Sequence, residues 1–349
     1  MSFENALKNS TDSNSINTYL KFLADKSIKT DNYNADLSER LQLLSDEKSK
    51  MEKHNADLTE ALRSNEDSYL KIEQAYWIIS DELRLYKLAY LISLTPFSWS
   101  GNIEQDHFGD YVDLIFEDVI NRFRWIPPGS FLMGSPTSEF GRDDDEIQHS
   151  VTLTEGFWMA DTVCTQALWL AVMSSNPSVF SQNLENPVDS VSWGDVQIFL
   201  QRANNSDSGG VLRLPFEAEW EYACRAGTDT PFAFDAITPR SINYNGHHPY
   251  VDGVQGLYRE ETKSVKSLRA NAWGLYQMHG NVWEWCQDWY DDYPSSSVSD
   301  PIGAESGTYH VLRGGSWFTP ASLARSAQRH CDEETDERYS NYGFRLVLG

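Results

Sequence analysis

The chain has 349 residues, 40% of them hydrophobic and 13% aromatic, enough for one large domain with an accessory segment or for two domains. Fifty-two Asp and Glu against 28 Lys and Arg leave a net charge of -24. No local basic patch relieves that charge, which excludes nucleic acid and anionic membrane surfaces as partners. The opening MSFENALKNSTDSNSINTYLKF has no basic leader before an apolar run, and the densest apolar patch, YLISLTPF, is too short for a span; a cytoplasmic chain without membrane insertion is expected.

In chain order, residues 1–30 are rich in Ser, Asn and Asp and read as a polar, partly disordered N-terminus. From Leu37 the positions Leu41, Leu44, Met51, Leu58, Leu62, Tyr69, Ile72, Tyr76, Ile79, Leu83, Tyr86 and Tyr90 recur at alternating steps of four and three, broken only by Lys48, Asn55 and Asn65. That seam makes residues 31–95 a helical coiled-coil segment that joins copies of the chain into a homo-oligomer; a hairpin folding back on the rest of the chain is the other reading. Residues 96–122 read as a connector leading into a short amphipathic helix, YVDLIFEDVINRF.

Residues 123–349 read as an α+β domain with short strands and frequent turns. One helix follows Ser192, which has cap chemistry, and another follows Pro215, with Glu217 and Glu219 in its first turn. The crowding of tryptophans between Trp125 and Trp317 predicts a core built from aromatics. Cys164, Cys224, Cys286 and Cys331 are widely spaced without a CxxC pair, which predicts a reduced chain, buried thiols for at least three of them, and no zinc site.

Within that domain GSFLMGS, VTLTEGFWMADTVCTQALWLAVM, NPSVF, PVDSVSWGDVQIF, RLPFEAEWEYACRAGT, GLYQMHGNVWEWCQDWY, RGGSWF and GFRL follow one another. In this order they resemble the formylglycine-generating-enzyme-like (sulfatase-modifying-factor) family, which implies a C-type lectin-like fold from Trp125 to the C-terminus. The heptad segment lies outside the resemblance. The copper-dependent oxidases of that family need one thiol two residues past the aromatic after GGS and another five further on, because Cu(I) is soft and a thiol exchanges with the substrate cysteine. Thr319 and Ala324 stand at those places, and Cys331 lies beyond both. A second branch takes iron ligands from an N-terminal helical domain, where this chain has only His54 and His107. Neither copper nor iron is therefore expected.

The remaining candidates have plainer readings. His247 and His248 form a loop pair without a third ligand, His279 fits a structural hydrogen-bonding role, and Glu217, Glu219 and Glu221 suit a helix N-terminus. No Ser-His-Asp order or phosphate-cradling glycine loop is present. The family resemblance implies structural calcium, held by the Asn243 and Asp252 side chains with the Tyr244 and Val254 carbonyls. A second and weaker set is Gln277, Gly280, Val282 and Glu284, in which Gln277 replaces the usual Asp or Asn.

Without thiols, the segment from Trp317 to Tyr342 reads as a recognition surface. Arg313-Gly314-Gly315-Ser316-Trp317, Arg325, Arg329, Arg338 and Gly343-Phe344-Arg345-Leu346 form its frame. Phe318, Thr319, Ser322, Leu323, Gln328, His330, Asp332, Tyr339, Ser340 and Tyr342 stand between them as ligand-binding candidates, with aromatic, hydroxyl and amide groups suited to binding. The layout resembles the variable proteins of diversity-generating retroelements, and equally an ordinary non-catalytic member with fixed loops. The expected function is recognition of a protein ligand; the alternative is a divergent metal-dependent oxidase or oxygenase.

Overall fold

The first described elements form a β-hairpin where the sequence predicts a helix. In the computed structural model, which describes residues 103–205, 212–331 and 337–349, β1 (Glu104–Asp106), β2 (Gly109–Phe116) and β3 (Val119–Ile126) pair in succession. Glu117 and Asp118 make the two-residue turn, Glu117 with the positive φ of 52° that suits strand twist. Side chains alternate: Val112 and Leu114 go inward, while Asp113 faces Arg122 across the ladder in a two-pronged ion pair at 2.8 and 2.9 Å. Strand pairing overrode the helical reading of this stretch, and β1 and β2 lie within residues 96–122 that the sequence assigns to a connector. The segments at 1–30 and 31–95, and Asp332, lie outside the described residues.

The chain continues through β4 (Gly129–Met133), β5 (His149–Leu153), β6 (Phe157–Val163), α1 (Gln166–Met173), α2 (Trp193–Asn205), β7 (Leu212–Arg213), α3 (Glu217–Arg225), β8 (Trp283–Trp289), β9 (Val298–Ser299), β10 (His310–Arg313), β11 (Arg329–Cys331) and β12 (Tyr342–Leu348). Among the described residues the main sheet has the order β1-β2-β3-β6-β12-β8-β10-β11, with β7 also on β12. The smaller sheet has the order β4-β5-β9. The result is an α+β fold. Strand β12 runs parallel to β8 and antiparallel to β6, so the C-terminal strand is central and every residue of it is buried.

Local chemistry explains the helices. Ser192 and Asp195 cap α2 reciprocally: the Asp195 N–H donates to Ser192 Oγ at 3.1 Å, and the Ser192 N–H to Asp195 Oδ2 at 3.0 Å. Thr165 caps α1, which the sequence reading does not single out, by accepting from the Leu168 N–H at 3.1 Å. The core is aromatic as expected, with Trp158, Trp220 and Trp285 fully buried. Cys164, Cys224 and Cys286 are buried free thiols.

Between α3 and β8 the chain is irregular, and buried amides do the work of a ladder. Asn271 donates to the Ala223 carbonyl at 2.8 Å and accepts from the Trp273 and Leu275 N–H groups. Asn281 accepts from Asn243 at 3.0 Å and from the Lys263 N–H at 2.9 Å. Each satisfies backbone or amide groups that burial would otherwise leave costly.

Candidate functional site

The segment after β10 is turned by Gly314 and Gly315, with φ of 95° and 73°. A Cβ on Gly315 would fall 2.7 Å from the Leu323 carbonyl oxygen, so both the backbone angle and the close approach demand glycine. Thr319 then closes the turn on Ser316: its Oγ1 accepts from the Ser316 N–H at 2.9 Å and donates to the Ser316 carbonyl at 3.0 Å. A short 3₁₀ turn, Ala321–Ala324, follows, and the Ala324 carbonyl accepts from His279 Nδ1 at 2.7 Å.

Buried arginines lock this segment to the domain. Arg325 is fully buried and bonds Glu146 at 2.7 and 2.6 Å, Glu139 at 2.7 Å and the Gly141 carbonyl at 2.6 Å. Arg313 reaches Glu221, and Arg329 grips Glu217 at 2.7 and 3.0 Å. Burial works against the Glu217 charge, but Arg329 and Arg313 outweigh it and hold the carboxyl below its ordinary value. Arg213 likewise grips Glu219 at 2.7 Å. The three α3 glutamates are thus parts of buried or half-buried ion pairs, in addition to the helix-end placement that the sequence suggests for them.

On this frame sits a cleft of about 500 Å³. Phe318, Thr319, Leu323, Gln328, His330 and Tyr342 line it, together with Asp143, Asp145, Trp283, Tyr290, Arg329, Cys331 and Asn341. Trp283 packs on the His330 ring at 4.9 Å, and His330 Nε2 lies 3.3 Å from the Tyr342 hydroxyl. On the acidic side the Tyr290 hydroxyl donates to Asp145, and Gln328 Nε2 donates to Asp143 at 3.0 Å. Arg329 lies over the Tyr290 ring at 4.4 Å and also lines a second cleft of about 290 Å³ with His149, Asp288 and Tyr293. Burial and the nearby Glu217 push the Asp288 carboxyl up to about 8.

Six of the ten sequence-assigned binding residues therefore meet at one cleft, though not all as exposed contacts. Phe318 is 59% exposed, Leu323 and His330 half-buried. Tyr342 is only 5% exposed and belongs to the core, because it is the first residue of the central strand and packs edge-on against Trp285. Thr319 is buried with its hydroxyl turned to the frame, and Gln328 is buried with its amide shared between the Arg329 carbonyl and Asp143 of the cleft wall. Ser322, Tyr339 and Ser340 lie outside the cleft lining. Asp143 and Asp145, which the sequence reading misses, come from the acidic run GRDDDEIQH and are carried in by the Arg325 clamp.

The second calcium set does not fit. Both Glu284 oxygens are taken by Arg345 at 2.9 Å, one also by Trp220 at 2.8 Å, and Gln277 accepts from Asn281. In the first set Asn243 and Tyr244 are buried, but Asp252 and Val254 are exposed. The Arg259 guanidinium stands 3.5 Å from Asn243 Oδ1, the oxygen a calcium ion needs, and like charges repel there. His247 and His248 are exposed loop residues.

One buried pair has the composition of a nucleophilic dyad without its chemistry. Cys224 Sγ lies 3.6 Å from His279 Nε2. Burial pushes the Cys224 thiol up to about 12 and lowers His279 to about 4, so both are neutral. His279 donates to Ala324 and accepts from the Ala233 N–H at 3.1 Å, the structural role expected of it.

Residues 117–349 match the model of the sulfatase-modifying factor enzyme 1-like domain. The formylglycine-generating enzyme of Streptomyces coelicolor is 38% identical over 173 residues, covering 46% of this chain and 52% of that protein. That of Thermomonospora curvata is 34% identical over 197 residues, covering 52% and 61%. The chain thus spans a little over half the length of these curated relatives. Among solved structures, Treponema denticola variable protein 1 superposes with a TM-score of 0.57 at 26% identity, over 68% of this chain and 98% of that one. PvdO from Pseudomonas aeruginosa gives 0.56 at 28%, over 66% and 94%.

Proposed function

This chain belongs to the sulfatase-modifying factor enzyme 1-like family, and we propose that within it the protein is a recognition protein whose C-terminal segment binds a protein ligand. The observation that carries this is the fate of the two thiol positions. Thr319 spends its hydroxyl on Ser316, and Ala324 is fully buried under His279, so nothing at either place can ligate Cu(I) or exchange with a substrate thiol. The cleft and its clamped frame persist without them, with Phe318 and Leu323 at its surface. Likeness to Treponema denticola variable protein 1 supports the same reading. The test is chemical: protein loaded with Cu(I) and given a cysteine-containing peptide and oxygen forms no aldehyde above a metal-free control. Aldehyde formation that requires the metal and is lost in Cys331→Ser would replace recognition with oxidation.

The heptad seam from Leu37 to Tyr90 completes the proposal by joining several such heads. Light scattering of the full chain then gives a dimer or trimer, and a chain starting at Asn102 gives a monomer; equal masses per chain would remove oligomerisation through this seam from the reading.

A further inference from the structure

Three charged groups border the 500 Å³ cleft, and their balance is negative. The Arg329 charge is matched by Glu217 at 2.7 and 3.0 Å beneath the wall. Asp143 is exposed and Asp145 half-buried, and their hydrogen-bond donors, Gln328 and Tyr290, are neutral. Arg142, the neighbouring cation, turns to Asp144 at 3.5 Å. Arg329 itself is 4% exposed and its Nη1 makes no hydrogen bond, the Asp145 carboxylate standing 3.6 Å off. Beside these groups are Phe318, 59% exposed, and the half-buried ring of His330, which packs on the buried Trp283 at 4.9 Å.

Resting on the recognition reading, we propose that this cleft takes a lysine- or arginine-bearing extended segment of a protein partner. The ammonium or guanidinium pairs with Asp143 and Asp145 and lies against the aromatic faces, where cation–π attraction adds to ion pairing. As Asp145 turns to the incoming cation, a carbonyl of the same segment accepts from Arg329 Nη1, supplying the acceptor that this buried donor lacks. The net charge of -24 speeds encounter with such a partner and disfavours acidic ones.

The test uses the immobilised full chain and a random peptide library displayed on phage. The retained pool is enriched in Lys and Arg. A synthetic copy of its strongest peptide loses at least about tenfold in affinity to the Asp143→Asn/Asp145→Asn double variant, and loses affinity as salt is raised. Leu323→Trp, which fills the cleft mouth, abolishes retention. Peptides that Leu323→Trp abolishes but that are neutral or acidic, or indifferent to the double variant, overturn the basic-ligand proposal and leave recognition standing. Peptides held equally by Leu323→Trp, or an empty selection, overturn recognition through this cleft and the proposal with it.

Discussion

Replacing Arg325 with Met isolates what holds the acidic wall of the cleft in place. The guanidinium is fully buried and binds two carboxylates, Glu139 and Glu146, of which Glu146 is itself fully buried. Burial works against the Glu146 charge, but Arg325 outweighs it and keeps the carboxyl below its ordinary value. Methionine fills much of the space and supplies no donor, so two acids lose the cation that binds them, and only the more distant Arg225 still acts on Glu139. Breaking such a pair from one side costs about 3–5 kcal/mol near neutral pH. The variant's pH response has a definite sign. Burial already raises Glu139, and without Arg325 it is opposed on Glu146 only by the Ser135 hydroxyl and the Asp143 N–H. Both carboxyls therefore move up, the folded state binds more protons, and the variant gains stability as pH falls through the raised values. Urea unfolding followed by circular dichroism, at about pH 7.5 and about pH 5.5, measures both effects. Adding Glu139→Gln and Glu146→Gln recovers part of the loss by removing the stranded charges. A loss under about 1 kcal/mol with a flat pH response would refute the argument that this clamp carries the 139–146 loop.

Tyr342→Ala costs about 3–5 kcal/mol because Tyr342 is core, while the exposed Phe318→Ala stays within about 0.5 kcal/mol; similar urea midpoints for the two would contradict the packing described. Acid weakens the fold through His279, whose folded value of about 4 lies below the unfolded 6.5, so its contribution is whole above pH 6.5 and lost as pH falls toward 4, about 2 kcal/mol by pH 5. Asp288, raised to about 8, acts in the opposite sense, gaining stability as pH falls from there toward its unfolded value. Because His310 is lowered to about 4 as well, the His279 effect is read site by site, by NMR titration of its ring in the folded protein, where a ring that protonates above about pH 6 would show that His279 is not held neutral.

The family, the α+β class, the aromatic core, α2 and α3 were legible in the sequence, because caps, prolines and apolar spacing act over a few residues. So was the loss of the oxidase thiols, since Thr319 and Ala324 can be named by counting from Trp317. The stretch Tyr111–Phe123 was not, because its apolar residues satisfy both helical and strand periods and only pairing with β6 and β1 chooses between them. The cleft was half legible. Phe318 and Leu323 could be assigned as surface from their place in the segment, but Tyr342 looks the same in sequence and is buried by the central position of β12. Asp143 and Asp145 reach the site only because Arg325, from far along the chain, closes on Glu139 and Glu146 around them. The family position of Glu284 implies calcium, but the tertiary fold brings Arg345 within reach of this buried carboxylate and the two pair instead.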